Sequence, residues 1–209
     1  MPAPPRPSRA FFTRRTLVVA RALLGCRLVH SDRDGTRVSG WIIETEAYIG
    51  PEDEGCHAHS GYTQRNANLW GPPGHAYVYF TYGMHWMFNI VTERAGFPAA
   101  VLIRALLPSE GVERMRRRRG GGRPDLTGGP AKICQALRID RRLNGADLCL
   151  PSAEIWLERG RPFPPSTVTT GPRVGLNNVP EPWKTIPWRF RLDPRELPAP
   201  RGIPWARDP

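Results

Sequence analysis

Two glutamates stand two residues apart in WIIETEAYIG, residues 41–50, and the stretch that follows, GPEDEGCHAHSGYTQRN, crowds acids, histidines and an asparagine together. On a strand, side chains alternate faces, so Glu44, Glu46 and Tyr48 share one side and Ile43, Thr45 and Ala47 the other. Two carboxylates this close repel if both are buried. Solvent or a partner must then relieve one of them, or one must titrate upward. A solvated acidic edge is the plain reading of such a strand. A carboxylate at a strand end beside a polar loop is also the arrangement of a general base. Strand parity does not choose between Glu44 and Glu46.

Other stretches carry weaker chemistry. Cys56-His57-x-His59 invites a metal, but a zinc site needs three or four well-spaced ligands and no second Cys/His pair stands at a suitable distance, so no metal is expected. GPPG, TGGPAK and TGPRVG are rich enough in glycine to offer backbone N–H groups to phosphate, yet none matches a P-loop or a dinucleotide fingerprint, and no cofactor is implied. At the start of an expected helix, TGGPAK has Thr127 and Lys132 in place to hold one backbone phosphate, or is simply a helix-entering turn. ERMRRRRGGGR is the densest basic run, suited to a loose phosphate contact. No G-x-S-x-G elbow is present, so covalent catalysis is not suggested. In YVYFTYGMHWMFN, residues 77–89, a tyrosine and a methionine flank the glycine of an expected turn, where polar residues are the rule.

The elements that must position these residues are readable in outline. A short amphipathic helix is expected over Thr16–Leu24, ended by Gly25. CRLVH and TRVSGWIIETEAYIG read as strands joined at Asp34-Gly35. Residues 50–75 read as a long irregular segment, 76–92 as a hairpin, and AAVLIRALL (99–107) as a buried strand. Ser109 is placed to cap a helix through ERMRRRR, glycines 120–122 to open a flexible connection, and Pro130 to start a second helix. AEIWLERG alternates like a strand, and VTTGPRVGLNN and IPWRFRL supply the last extended segments. Strands dominate the middle and helices flank them, which predicts one mixed α+β domain over residues 10–200, with a disordered tail at 1–9 and a proline-rich tail at 201–209.

The chain has 209 residues, 40% of them hydrophobic, enough for a sizeable core, and no apolar run is long enough to span a bilayer. MPAPPRPSRA is proline-rich and polar, so a reducing, cytoplasmic setting with free thiols is the expectation, nucleoid-associated or nuclear according to source. Formal net charge is +11, and of the 30 basic residues only Lys132 and Lys184 are lysines. Codon bias explains a preference for arginine; it does not explain the excess of positive charge, which favours a polyanionic partner such as nucleic acid.

Taken together, ETEAYIGPEDEGCHAHSG, YVYFTYGMHWMFNIV, AVLIRALLPSEG, LTGGPAKICQAL and RVGLNN resemble the alkyladenine (3-methyladenine) DNA glycosylase family, in the family's order, from about residue 10 to about residue 192. The resemblance implies a single α+β domain around a curved antiparallel β-sheet with a protruding β-hairpin. It implies a monofunctional enzyme that flips alkylated or deaminated purines (3-methyladenine, hypoxanthine, ethenoadenine) out of double-stranded DNA and hydrolyses the N-glycosidic bond in base excision repair; one enzyme around one flipped nucleotide needs no symmetry, so a monomer is expected. By the same match Glu46 is the general base, with Arg104 and the backbone of Val174 helping to hold the water. Tyr48, His57 and Tyr79 stack on the base, and Asn89 excludes guanine. Tyr82 wedges into the DNA stack, supported by Met84, which accounts for an aromatic residue at a turn. His85, the Met87-Phe88 pair and GCHAHSGYTQRN depart most from the family pattern. A non-enzymatic base-stacking module shares the basic surface and the aromatics; a hydrolase of small nucleosides accounts for neither the charge nor the projecting tyrosine.

Overall fold

A computed structural model describes residues 5–160 and 163–197 of the chain. In chain order it contains α1 (Arg9–Phe12), α2 (Thr16–Ala22), β1 (Arg27–Ser31), β2 (Arg37–Ile49), β3 (Ala76–Thr81), β4 (His85–Val91), β5 (Ala99–Glu110), α3 (Val112–Arg118), α4 (Pro130–Leu137), β6 (Ile155–Glu158), β7 (Val168–Gly171) and β8 (Arg189–Leu192). The strands form one curled sheet in the order β3-β4-β5-β2-β1-β6, with β8 added to β2 and β7 to β8, and every pairing is antiparallel. The architecture is therefore a single mixed α+β domain around a curved antiparallel sheet.

Alternation along the strands sorts residues onto two faces. Ala47, Ala76, Val78, Ile90 and Val101 join the main core with Val19 and Ala20 of α2 and Ile133, Ala136 and Leu137 of α4. Their neighbours Tyr48, Tyr77, Tyr79, Val91 and Ala100 face the other way and meet Cys56, Ala58 and Leu69 from residues 50–75 in a second, smaller cluster. The long irregular segment thus roofs the sheet face opposite the helices, and its only regular pieces are two 3-10 turns, His57–Ser60 and Ala67–Trp70.

Several sequence expectations shift. Ser109 does not cap a helix: it lies in β5, which runs on to Glu110, and α3 starts after Gly111, whose φ of 68° makes the turn. β6 is buried at every position rather than alternating, because both of its faces are covered. Residues 5–9 depart from the expected tail. Arg6 donates to the carbonyl of Leu150 at 3.0 Å and stacks on Trp156, Arg159 N–H donates to Pro5 C=O at 2.8 Å, and Arg9 opens α1. Residues 1–4 of that tail, and the proline-rich tail at 201–209, lie outside the described residues. No helix among the described residues is long and apolar enough to cross a membrane.

Candidate active site

β2 runs through the middle of the sheet, with Glu46 opposite Leu102 of β5 on one side and Arg189 of β8 on the other. The Glu46 side chain is fully buried. Its Oε1 accepts the backbone N–H of Val174 at 2.7 Å, its Oε2 accepts the hydroxyl of Tyr48 at 2.9 Å, and Arg104 Nε lies 3.3 Å from Oε1. Burial pushes the Glu46 pKa above its ordinary value; the Arg104 charge, the Val174 N–H and the Tyr48 hydroxyl pull against that and do not cancel it. Glu44 is less buried and sits 3.5 Å from both Arg104 and Arg189. The pairing register slips around Glu44, but Arg104 still reaches both acids, so they do share a side. What separates them is a contact that strand parity does not contain, the amide of a residue 128 positions away.

That amide is held by a pair the sequence reading missed. Arg173 and Asp53 are both fully buried and form a forked ion pair, Nη1 to Oδ2 at 2.6 Å and Nη2 to Oδ1 at 2.7 Å. Arg173 also donates to the carbonyl of Ala47 at 3.0 Å, and Asp53 accepts the N–H groups of Ile49 and Gly55. The guanidinium backs the Tyr48 ring, 4.7 Å from its centroid. Gly55 is required by close approach: a Cβ there would stand 2.8 Å from Arg173 Nη2. The acidic loop and the TGPRVG turn were each visible in the sequence, but a contact spanning 120 residues leaves no local signal of pairing.

Tyr48, His57, Tyr77, Tyr79 and Asn89 line one cleft on the roofed face of the sheet. His57 Nδ1 pairs with the Tyr77 hydroxyl at 2.8 Å, and its ring meets Tyr79 edge-on, with centroids 4.4 Å apart. Asn89 Nδ2 donates to the carbonyl of Tyr77 at 3.0 Å. Burial pushes the Tyr79 hydroxyl up to about 12 and Tyr48 well above its usual value, while burial and then Arg65 lower His57, so all three are neutral at pH 7. The cleft encloses about 30 Å³, room for about one water and less than a purine needs. The Cys56-His57-x-His59 cluster does not converge: Cys56 Sγ accepts from the Ala58 N–H, His57 turns to Tyr77, and His59 Nδ1 lies 3.0 Å from the Pro51 carbonyl.

The β3–β4 hairpin is buried at its base and exposed at its tip. Tyr82 is 81% exposed and Met84 66%. Met84 N–H closes the turn on Thr81 C=O at 3.2 Å, and both central residues have positive φ, 52° at Tyr82 and 65° at Gly83. Hairpin turns of this twist favour Asn-Gly, and a bulky residue in the left-handed region costs about 1–2 kcal/mol.

The residues of the expected phosphate contact at TGGPAK have partners within the chain. Pro130 does open α4, but the Thr127 side chain is fully buried and its hydroxyl donates to Leu106 C=O at 2.7 Å. Lys132 Nζ is paired with Asp125 Oδ2 at 2.6 Å, and Asp125 also takes the Gly128 N–H. An internal carboxylate thus occupies the anion position.

With this geometry in place, sequence comparison settles the class of protein: a DNA glycosylase, a hydrolase of N-glycosidic bonds that serves base excision repair. Residues 10–196 match the model of the family described as Methylpurine-DNA glycosylase (MPG), and the chain belongs to that family. It is 45% identical over 185 residues to a protein of Carboxydothermus hydrogenoformans, covering 88% of this chain and 93% of that one. Against a protein of Methanocella arvoryzae it is 48% identical over 184 residues, covering 87% of this chain and 90% of that one. Against one of Anaeromyxobacter dehalogenans it is 45% identical over 202 residues, covering 96% and 86%. All three carry the name "Putative 3-methyladenine DNA glycosylase".

Proposed function

We propose that the protein, acting as a monomer on duplex DNA, rotates an alkylated or deaminated purine out of the helix and releases it with a water activated by Glu46, leaving an abasic site. The observation that carries this reading is the Glu46 carboxylate, wholly buried yet held open to one more partner. Each carboxylate oxygen has two lone pairs: the Val174 N–H and Arg104 Nε face Oε1, and the Tyr48 hydroxyl takes one on Oε2, which leaves one on Oε2 for a water. Burial raises its basicity, and Arg104 keeps the ionised form accessible. The water gives its proton to Glu46 as its oxygen bonds to C1′, and the purine leaves with the glycosidic electron pair. A ring-alkylated purine is already cationic and departs neutral, so one carboxylate suffices where glycoside hydrolysis ordinarily uses two.

The neutral rings of Tyr48, Tyr79 and His57 suit a flat, electron-poor base. A purine does not fit the present 30 Å³, so binding parts the His57–Tyr79 edge contact and opens the roof formed by residues 50–75. Asn89, fixed by its bond to Tyr77, narrows the cleft against the 2-amino group of guanine. Tyr82 fills the gap left by the extruded nucleotide, with Met84 beside it; the turn needs positive φ at this position, tyrosine is a costly residue to supply it, and a wedge accounts for that choice.

The test is to incubate the protein with methylated genomic DNA and with a duplex containing one hypoxanthine or ethenoadenine, then to identify released bases and cleave abasic sites with alkali. Free 3-methyladenine and alkali-dependent scission at the lesion are expected. Tight DNA binding with no base released would instead make the chain a base-stacking binding module.

A further inference from the structure

The basic run 113–123 divides into two groups. Arg114 pairs with Asp32 and Asp34, and Arg118 with Asp32, so these arginines tie α3 to the β1–β2 turn. Arg119 is different. It is 8% exposed, bonds only the neutral amide oxygen of Gln135 among the described residues, and leaves its Nε with no partner. Together with Arg123 and Arg138 it lines a hollow of about 560 Å³ beside α4. Gly120, Gly121 and Gly122, at φ of 84°, 63° and 60°, turn the chain back so that Arg123 returns beside Arg119. Burial and then the Arg123 charge lower the affinity of Arg119 for protons, and Asp125, itself paired with Lys132, pulls the other way. No carboxylate is hydrogen-bonded or ion-paired to any of the three among the described residues. Gln135 and Arg138 also line the adjoining cleft of about 200 Å³, which Met84 and His85 of the hairpin tip share.

We propose that this hollow anchors one phosphodiester of the DNA backbone, on the strand that passes the hairpin tip. Guanidinium forks match phosphate oxygens in pairs, and Gln135 holds Arg119 in place before the anion arrives. The cleft shared with Met84 places the anchor next to the wedge, so the same contact that binds the backbone sets the register of the hairpin on the duplex. This proposal rests on the reading of the chain as acting on duplex DNA, and it does not depend on which base is released.

The experiment replaces backbone phosphates one at a time with neutral methylphosphonate and measures Kd for the intact protein and for the double variant Arg123→Gln/Arg138→Gln. Both residues are exposed and bond no acid, so folding is not at stake; a matching circular dichroism melt confirms it. The wild type is expected to lose about tenfold or more in affinity at one position near the hairpin contact, as for a lost hydrogen bond between charged groups. The variant loses nothing further there and responds like the wild type elsewhere. Its slope of log K against log salt is shallower by about 1. A scan with no position coupled to the pair overturns the proposal. So does inorganic phosphate occupying the hollow at fixed ionic strength without displacing DNA, since the occupant is then a free anion. Binding alone is read. Missing base release with the coupling intact therefore sinks the glycosylase mechanism and leaves the anchor, and missing coupling with base release intact does the reverse.

Discussion

Glu46 is a carboxyl placed where charge is expensive, and its titration has two consequences of opposite sign. In the proposed mechanism base release requires the ionised form, so the rate at saturating protein is expected to rise with pH through a pKa above the ordinary carboxyl value of 4.5. A pH–rate profile under single-turnover conditions checks this; a rate flat from pH 4.5 upward contradicts it. Stability runs the other way. Below 4.5 the group is protonated in the folded and unfolded chain alike. Between 4.5 and the raised folded value the folded chain holds a proton the unfolded chain has released, so stability falls as pH rises, and above that window the loss is complete. Glu46→Gln is therefore expected to melt at a higher temperature than the wild type at pH 7, with the difference vanishing below about pH 4.5. A variant that melts lower at pH 7 would show that the Arg104 and Val174 contacts outweigh the desolvation.

At the scale of elements, the hairpin and the buried fork behave oppositely under mutation. Tyr82→Gly relieves a left-handed tyrosine, worth about 1–2 kcal/mol, and adds the backbone freedom of glycine to the unfolded chain, worth about 0.5–1 kcal/mol in the other direction. Denaturant melts are expected to show a net gain of about 0.5–1 kcal/mol, alongside weaker binding of lesion duplex and little change on undamaged duplex. Equal loss on both duplexes would count against the wedge. Arg173→Met removes one member of a fully buried ion pair and leaves Asp53 charged and unmatched, a change that costs about 3–5 kcal/mol. It also frees the turn that presents the Val174 amide to Glu46, so the variant that still folds should lose rate as well as stability. A loss under 1 kcal/mol would mean that Asp53 is supported without it. This contrast also marks what the sequence made legible. The strands, the hairpin and α4 follow from local periodicity and from turn and proline signals, so they were readable from short windows. The choice of Glu46 over Glu44 and the Asp53–Arg173 fork depend on contacts 120 or more residues apart, and parity along one strand holds no information about them. The partners of Lys132 and Thr127 were hidden for a related reason: glycine spacing does not show that Asp125 pairs with Lys132 and takes the Gly128 N–H.

For the whole molecule, the sheet divides the labour between its faces. One buries the main core against the helices, and the other, under residues 50–75, holds the cleft. A net charge of +11 spread over a chain of 209 residues draws it to any polyanion, so affinity for undamaged duplex should fall at least about 100-fold between 50 and 200 mM salt. A fall of less than tenfold in a fluorescence-anisotropy titration would mean that few phosphates are contacted. On the proposed reading, discrimination between damaged and sound DNA then rests on the cleft and the wedge and not on this charge. The proposed chemistry turns on Glu46. The most direct test is single-turnover release of hypoxanthine from duplex DNA by the wild type and by Glu46→Gln at saturating protein. The account predicts abasic sites with the wild type and none detectable with the variant, at undiminished affinity for the lesion duplex. Release by the variant within tenfold of the wild-type rate would contradict it.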